Sequence, residues 1–573
     1  MTDKSIPSAP LRPTLTRRRT LGVLVSAGAA TVLAACGSGA ATPTTAPASS
    51  TEQKQPTPAP TTQSQPTVTS ATPAAARPAA SSYTRAPKTD VTRDRLTLGV
   101  QGLPGGMDPA QELSNVGTRV TYNVYDTLIR RDFLDNNKLV PALATSWKRL
   151  DDTTFELKLR SGVTFHNGDP MTADDVKFTF DRMNLPDSQL AEAKGYFASF
   201  KEVKVVDPLT VQIETKQPDP LLEQRLASWA SWIVPKKYIE KVGNQEFARN
   251  GVGTGPYKVV RLDPANELVL ERYDGYWEDK PPVKQLIFRV IPENAARVTA
   301  LINNEVQIIT NIPPDQIKTL RDAPNVEIRD IPLANMHVLR YNTKHPVLKS
   351  EKLRQAMNLG IDRKLLIDTL WNGRAVQLRS HQFEEYGQLY NPNRPFTPYD
   401  PEKAKQLVAE SGYKGDKITY RTQADYYTNG LQAGQALIAM WKGVGINAEI
   451  LLVTAGDKED PATSMVANWS NSSVLADPDG CLWRSWGKQS AVQKNYWTPD
   501  PEFNRLGEEA RATLDVKKRY DDYQKMLDIW EKEAPGTVLY VPVENYGVNK
   551  DVNWSPYPFY YSDFRAYNLS FKK

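Results

Sequence analysis

Residues 155–180, FELKLRSGVTFHNGDPMTADDVKFTF, carry the pattern that decides the fold. Three apolar residues alternate with three charged residues over 155–160, which predicts a strand with one apolar face. A cluster of turn-forming residues follows at 166–170. Thr172 stands three residues before Asp175, a capping-box spacing that predicts the start of a helix. The segment is therefore predicted as strand, turn, strand, tight turn and capped helix.

The acids and the histidine of this segment fit structural roles. Asp174 and Asp175 would lie in the first turn of the helix, where carboxylates are favoured by the helix dipole, rather than form a catalytic pair. His166 falls in the turn cluster and is expected to be a turn residue rather than a metal ligand.

The whole segment resembles the family 5 solute-binding proteins of ABC importers, the peptide/nickel-type extracytoplasmic receptors. The residues that match the family's segment are Phe155, Leu157, Arg160, Gly162, Val163, Phe165, His166, Gly168, Pro170, Thr172, Ala173, Asp175 and Val176.

Further segments of the chain resemble the same family. They are YDTL at 125–128, VPALATSW at 140–147, GTGPY at 253–257, LERYDGYW at 270–277 and RYNT at 340–343. GTGPY also suggests a phosphate-binding loop. We reject this interpretation, because Pro256 lacks the N–H group that a phosphate would need and no Gly-Lys-Ser/Thr follows. The resemblance covers nearly all of residues 91–573.

The resemblance implies the fold and the domain organisation. The expected fold is α/β, a two-lobed periplasmic-binding-protein fold of the class II type with an extra inserted domain and a hinge between the lobes. Chain crossings between the lobes are expected near 335–341 and 540–545. The expected parts are the first lobe at 91–132, 251–336 and 541–573, the inserted domain at 133–250, and the second lobe at 337–540.

The beginning of the chain indicates export and lipid anchoring. Residues 1–36 are predicted to be an export signal, in which TRRRTL at 16–21 resembles the twin-arginine pattern, although Sec export remains an alternative. The signal ends in LAAC, which resembles a lipobox with Cys36 as the lipidated residue. Residues 37–90 are rich in Pro, Thr, Ala and Ser and are predicted to form a disordered tether.

The charge distribution gives no reason to expect a nucleic-acid partner. The net charge of the whole chain is +5, but residues 1–36 carry +4 and residues 37–90 carry +2, which leaves −1 for the rest. With Cys36 lipidated, Cys481 is the only other cysteine, so no intrachain disulfide is expected.

The sequence lacks the common patterns of catalytic and metal sites. The four histidines lie far apart, and none belongs to an H-E-x-x-H motif or lies near a cysteine pair. No G-x-S-x-G motif follows a predicted strand. The DPDG at 477–480 lacks the later ligands of a calcium loop and is expected to be a structural turn. We therefore expect a binding protein without catalytic residues, metal or cofactor.

The sharpest candidate for ligand binding is Trp469. The resemblance places a tryptophan at this point of the ligand cleft in peptide-binding relatives, where an aspartate three residues later pairs with the peptide's amino terminus. Ser472 stands at that place here, next to Asn471. This departure argues against ordinary peptide capture unless the loop before Asp477 supplies another acid.

Other residues are weaker candidates. Aromatic side chains bury ligand surface at low entropic cost, so some of the 12 Trp and 25 Tyr should line a cleft. These candidates are Tyr341, Trp371, Trp483 and Trp486, with Arg340 and Arg374 as possible anion partners that are more often structural ion-pair residues.

The resemblance implies a substrate-binding lipoprotein of an ABC importer. It would capture a peptide-like or other polar organic solute between its lobes and deliver it to the permease subunits and their ATPase. The alternatives are an oligosaccharide receptor, a nickel or metallophore receptor on the same fold, with His381 as its only candidate residue, and a sensor with no role in transport.

Overall fold

The computed structural model describes residues 83–184, 195–424, 426–454 and 457–572. The predicted export signal, Cys36 and most of the predicted tether lie outside these residues. The end of the tether prediction needs correction, because residues 83–88 lie against the folded part of the chain. Tyr83 donates to the carbonyl of Asp330, and Arg85 forms an ion pair with Asp132.

The described residues contain twenty strands. In chain order they are β1 (Arg93–Val100), β2 (Ile129–Asp132), β3 (Lys138–Pro141), β4 (Ala144–Arg149), β5 (Thr154–Leu159), β6 (Phe200–Asp207), β7 (Thr210–Thr215), β8 (Tyr257–Asp263), β9 (Glu267–Arg272), β10 (Val283–Val290), β11 (Ile308–Ile309), β12 (Val326–Pro332), β13 (Asn335–Tyr341), β14 (Ile418–Gln423), β15 (Ala448–Val453), β16 (Val466–Ser472), β17 (Gly536–Tyr540), β18 (Val543–Asn549), β19 (Val552–Trp554) and β20 (Leu569–Phe571).

Helices connect these strands. The α-helices in the described residues are Asn115–Thr121, Ala173–Asn184, Leu222–Arg225, Lys236–Val242, Asn244–Asn250, Asn294–Ile302, Ile317–Arg321, Glu351–Leu359, Arg363–Trp371, Pro401–Glu410, Gly430–Gly443, Leu482–Trp486, Ala491–Asn495, Pro501–Arg511 and Val516–Glu533. Short 3-10 helices lie at Pro314–Gln316, Pro346–Leu348, Glu384–Leu389 and Pro478–Gly480. None of the described helices combines the length and the apolar character that crossing a membrane requires.

Aspartates start several of the helices. Asp362, Asp400, Asp500 and Asp515 each precede a helix, and each carboxylate accepts a hydrogen bond from a backbone N–H of the first turn. Such N-caps satisfy donors that have no partner within the helix.

A seven-stranded mixed sheet forms the centre of the first lobe. Its strand order is β12-β18-β11-β1-β10-β9-β8, in which β1 runs parallel to both of its neighbours. The antiparallel sheet β4-β5-β7-β6 lies within the predicted inserted domain. Its buried residues Phe155 and Leu157 belong to the same apolar cluster as Leu96 and Leu98 of β1. The two sheets therefore share one core.

A five-stranded sheet forms the second lobe, with the order β15-β14-β16-β13-β17. The chain passes from the first sheet to this one between Pro332 and Asn335, and it returns between Tyr540 and Val543. These two short crossings lie close to the predicted ones. The exact domain boundaries remain predictions.

The segment at 155–180 folds largely as its sequence predicts. β5 and the helix Ala173–Asn184 are present, whereas the predicted second strand is reduced to a single bridge between Thr164 and Pro170. The Asp175 carboxylate accepts hydrogen bonds from the backbone N–H and the hydroxyl of Thr172.

His166 joins this segment to the GTGPY motif. Its Nδ1 accepts from the Gly253 N–H at 3.2 Å, and its Nε2 therefore donates to the Gly255 carbonyl at 3.0 Å. Burial lowers the pKa of His166 to about 4, so the ring is neutral at pH 7. A Cβ at Gly253 would lie 2.1 Å from the Val124 carbonyl oxygen. The motif is thus a close backbone contact and has a structural role.

Candidate functional site

A cavity of about 910 Å³ lies on one face of the five-stranded sheet. Most of its lining comes from the second lobe, and Tyr196 and Arg225 of the predicted inserted domain complete it. Its volume is within the usual range for small-molecule sites, roughly 300–1,000 Å³.

Three residues in one row across adjacent strands form the floor of the cavity. Ala467 of β16 pairs in register with Arg340 of β13 on one side and with Arg421 of β14 on the other. Side chains at paired positions leave the same face of a sheet, and the outer two strands are about 10 Å apart. The small side chain of Ala467 therefore leaves open space between two arginines.

Arg340 is held in place by a carboxylate and an aromatic ring. Its guanidinium forms a two-point ion pair with Glu459 and lies 3.5 Å from the ring centroid of Tyr496. Burial opposes ionisation of Glu459, but the hydrogen bonds and charge of Arg340, together with the charge of Arg421, lower the pKa of this carboxyl below its ordinary value. Glu459 is therefore charged and engaged at neutral pH.

Aromatic side chains form much of the remaining wall. The rings that line the cavity belong to Tyr196, Tyr426, Tyr427, Trp469, Trp483 and Tyr496. Trp483 is packed so closely that a Cβ at Gly507 would lie 2.0 Å from its ring. Rigid rings of this kind can cover apolar parts of a ligand.

Asp479 connects the second lobe to the predicted inserted domain beside the cavity. Its Oδ2 lies 2.7 Å from Nη2 of Arg225, and its Oδ1 lies 2.6 Å from Nε of Arg511. Arg225 also pairs with Asp219 at 2.9 Å. Burial would raise the pKa of Asp479, but the charges of Arg511 and Arg225 outweigh it and lower the pKa to about 2. The predicted structural turn at 477–480 thus carries a buried ion-pair network.

The loop that follows β16 packs against the part of the predicted inserted domain that carries Arg225. Val474 and Leu475 belong to the apolar cluster that contains Leu222. The Ala476 N–H donates to Oε1 of Gln224 at 2.9 Å. The cavity is closed on this side by apolar contacts, a hydrogen bond and the Asp479 ion pairs together.

Three of the residues predicted for ligand binding line the cavity, namely Trp469, Trp483 and Arg340. Trp469 and Arg340 come from neighbouring strands and point to the same face of the sheet. The structure brings these three together, and ligand contact by them remains a prediction.

Ser472 and Asn471 lie outside the lining. Ser472 is three positions after Trp469 in one strand, so its side chain leaves the opposite face, where its hydroxyl accepts from Asn335 at 2.9 Å. Asn471 is fully buried, and its Oδ1 accepts from the Ser485 hydroxyl at 2.6 Å. Both residues have structural hydrogen-bond partners.

Tyr341, Trp371 and Trp486 also lie outside the lining, because each is buried in the core. The Tyr341 hydroxyl donates to Asn358 at 2.9 Å. Trp371 borders a separate crevice of about 20 Å³ at the chain crossings, which holds little more than one water molecule. The second arginine candidate, Arg374, pairs with Asp330 and therefore has a structural partner.

His381 is not accessible to a metallophore. It is fully buried beside Trp486, whose indole N–H donates to Nε2 of His381 at 3.0 Å. Burial lowers the pKa of His381 to about 3. Within the described ranges, no group of three or more His, Cys, Asp or Glu side chains could hold a metal ion.

Several lining residues are not among those predicted from the sequence; they include Arg421, Tyr426, Tyr427, Lys494 and Tyr496. The alternation ITYRTQ at 418–423 indicates a strand and could have identified Arg421 as a charged residue on the less buried face. The other four depend on contacts between distant segments, which no local pattern reveals.

Comparison with known proteins identifies the family. Residues 138–493, more than half of the chain, match the bacterial extracellular solute-binding proteins, family 5 (middle part). The chain belongs to this family. This family 5 protein is therefore an extracytoplasmic solute-binding protein of the class that serves ABC importers, and the resemblance stated from the sequence is confirmed.

Relatives and solved structures agree with this assignment. The dipeptide-binding protein of Escherichia coli K12 is 28% identical over 478 residues, which are 77% of this chain and 88% of the relative. Di/tripeptide-binding protein 1 of Pseudomonas aeruginosa is 26% identical over 472 residues, 77% of this chain and 87% of the relative. A DppA structure from Helicobacter pylori with the peptide STSA has a TM-score of 0.76 at 24% identity and covers 84% of this chain and 99% of that one. The two-lobed α/β fold is confirmed.

Replacing Asp479 tests the ion-pair network beside the cavity. Asp479→Asn should lower the free energy of unfolding by about 3–5 kcal/mol at pH 7, because the buried Arg225 and the largely buried Arg511 lose their shared carboxylate. Since the folded pKa is about 2 and the ordinary value is 3.8, this stabilisation exists above pH 4 and is lost as the pH falls towards 2. Urea unfolding of both proteins across this pH range measures it.

The control is Asp521→Asn, which removes an exposed partner of Lys517 and should have little effect on stability. Equal effects of the two substitutions, or an effect of Asp479→Asn that does not shrink at low pH, would contradict the assigned role.

Proposed function

We propose that this protein captures a peptide-like or other polar organic solute in the cavity and delivers it to the membrane permease of an ABC importer. The observation that supports this most directly is the composition of the cavity. Aromatic rings lie beside arginines, amides and hydroxyls in a space large enough for a small peptide or oligosaccharide. Relatives of similar length are named for binding dipeptides or di/tripeptides.

Solute binding by such a receptor is expected to favour a closed arrangement of the lobes. The lining combines side chains of the second lobe with Tyr196 and Arg225 on the other side. A solute that contacts both sides gains contacts only when the lobes are together, so it shifts the equilibrium towards the closed form.

An oligosaccharide is the second candidate for the solute. The position expected to hold an acid for a peptide's amino terminus is Ser472, and its hydroxyl faces away from the cavity. A sugar needs no carboxylate, because amides can bind its hydroxyl groups while an indole covers its C–H face.

Trp469→Ala should weaken solute binding by about 2 kcal/mol, because the substitution removes an aromatic ring from the lining of the cavity. Native mass spectrometry of the protein purified from rich medium would identify the bound solute, and calorimetry with that solute would measure the dissociation constant.

Trp147→Ala is the matched control, since Trp147 is partly exposed and its indole N–H donates to Glu223 away from the cavity. This control should bind the solute as tightly as the unsubstituted protein. If Trp469→Ala bound the solute with unchanged affinity, Trp469 would not be a ligand-binding residue.

We also propose that the mature protein is anchored to the membrane by a lipid on Cys36 and is exported by the twin-arginine route. Cys36→Ala should move the protein from the membrane to the soluble fraction, because a thioether-linked lipid is its only proposed anchor. Fractionation of cells followed by immunoblotting measures the distribution. A Cys36→Ala protein that stays on the membrane with its signal removed would contradict the lipobox assignment.

A further inference from the structure

The described residues that line the cavity carry an excess of positive charge. Among the described residues that line it, six side chains are cationic and two are carboxylates. The cations are Arg225, Arg340, Arg421, Arg484, Lys494 and Arg511, and the carboxylates are Glu459 and Asp479.

Both carboxylates are already bound by arginines of the protein. Glu459 holds Arg340, and Asp479 holds Arg225 and Arg511. These three arginines therefore have structural partners, and neither carboxylate is available for a cationic ligand without breaking a buried ion pair. Breaking such a pair is costly, because it leaves an uncompensated charge.

Arg421 and Lys494 differ from these arginines. Across the part of the chain that the structure describes, neither forms an ion pair with a carboxylate. Nη2 of Arg421 donates to the backbone carbonyl of Asp457 at 2.6 Å, and a guanidinium has five N–H donors, so further donors remain for a ligand. The ammonium group of Lys344 donates to the Lys494 carbonyl at 3.0 Å and adds positive charge nearby.

The geometry also places these charges where a solute would lie. Arg421 and Arg340 lie on either side of Ala467, and Trp469 follows two positions later on the same face. Lys494 lies in the helix Ala491–Asn495, which continues the wall next to Tyr496. A planar carboxylate above Ala467 could accept two hydrogen bonds from one guanidinium.

We propose that the solute is an organic anion whose carboxylate groups are bound by Arg421 and Lys494, an inference that rests on the receptor function proposed above. An acidic peptide and an acidic sugar share this chemistry. A free amino group is not required, because both carboxylates among the described lining residues are occupied by arginines and Ser472 points away from the cavity.

Matched probes can separate charge from size. The peptide probes are Ala-Glu-Ala, its amide counterpart Ala-Gln-Ala and the cationic Ala-Lys-Ala, each N-acetylated and C-terminally amidated so that the central side chain alone sets the charge, together with C-terminally amidated Ala-Glu-Ala that keeps its free amino group. The sugar probes are glucuronate and glucose. Calorimetry on the full-length protein should show that the Glu peptide binds about tenfold or more tightly than the Gln peptide, and glucuronate than glucose. These differences should shrink as salt is added.

Substitutions assign the preference to particular residues. Arg421→Gln and Lys494→Gln should each weaken binding of the acidic probe more than binding of its neutral counterpart, and so reduce the preference for the acid. Lys517→Gln, which removes an exposed lysine outside the cavity, should leave the preference unchanged. Unchanged thermal unfolding of all three variants shows that the fold is intact.

The possible outcomes decide between the inference and the receptor function. A preference for an acidic probe that is lost in Arg421→Gln or Lys494→Gln supports the inference. Equal or tighter binding of Ala-Gln-Ala, Ala-Lys-Ala or glucose overturns it but leaves the receptor function standing. Binding that requires the free amino group also overturns it. Failure of every probe to bind also overturns the inference. In that case, a solute that co-purifies with the protein and is detected by native mass spectrometry would show that the receptor function still holds.

Discussion

The buried carboxylate of Asp479 is the contact on which the closed cavity depends. It lies between Arg225 of the predicted inserted domain and Arg511 of the second lobe; the Arg225 and Asp479 side chains are almost completely removed from water, and that of Arg511 is largely so. Such a group costs free energy to bury and is retained only when it is paired. Because Arg225 is also fixed by Asp219, the network holds the loop after β16 in one position. That loop in turn gives the cavity its second wall.

The chemistry of the cavity follows from the alternation of side chains along strands. Ala467 and Trp469 are two positions apart in β16 and lie on the floor of the cavity, while Ser472 points to the other side of the sheet. The same alternation places Arg340 and Arg421 on either side of Ala467. A flat ring, a small residue and two guanidinium groups thus share one surface. A surface of this kind suits a solute with an apolar part and an anionic part.

The sequence predicted the fold well because the fold depends on local patterns and on recurring motifs. The alternation over 155–160 and the Thr172 cap can be recognised without knowledge of distant residues. The site was predicted only in part. The resemblance predicts that Trp469 and Ser472 share the ligand cleft, whereas in the structure β16 directs these residues, three positions apart, to opposite faces of the sheet. Arg421 became a site residue only through strand pairing between segments more than forty residues apart.

A crystal structure of the protein with the most tightly bound solute of the probe series tests the central claim most directly. The account predicts that the solute lies above Ala467, in contact with the ring of Trp469, and that a carboxylate of the solute is within hydrogen-bond distance of Arg421 or Lys494. A solute found in the crevice beside Trp371, or one in the cavity that has no contact with these two cations, would contradict the account.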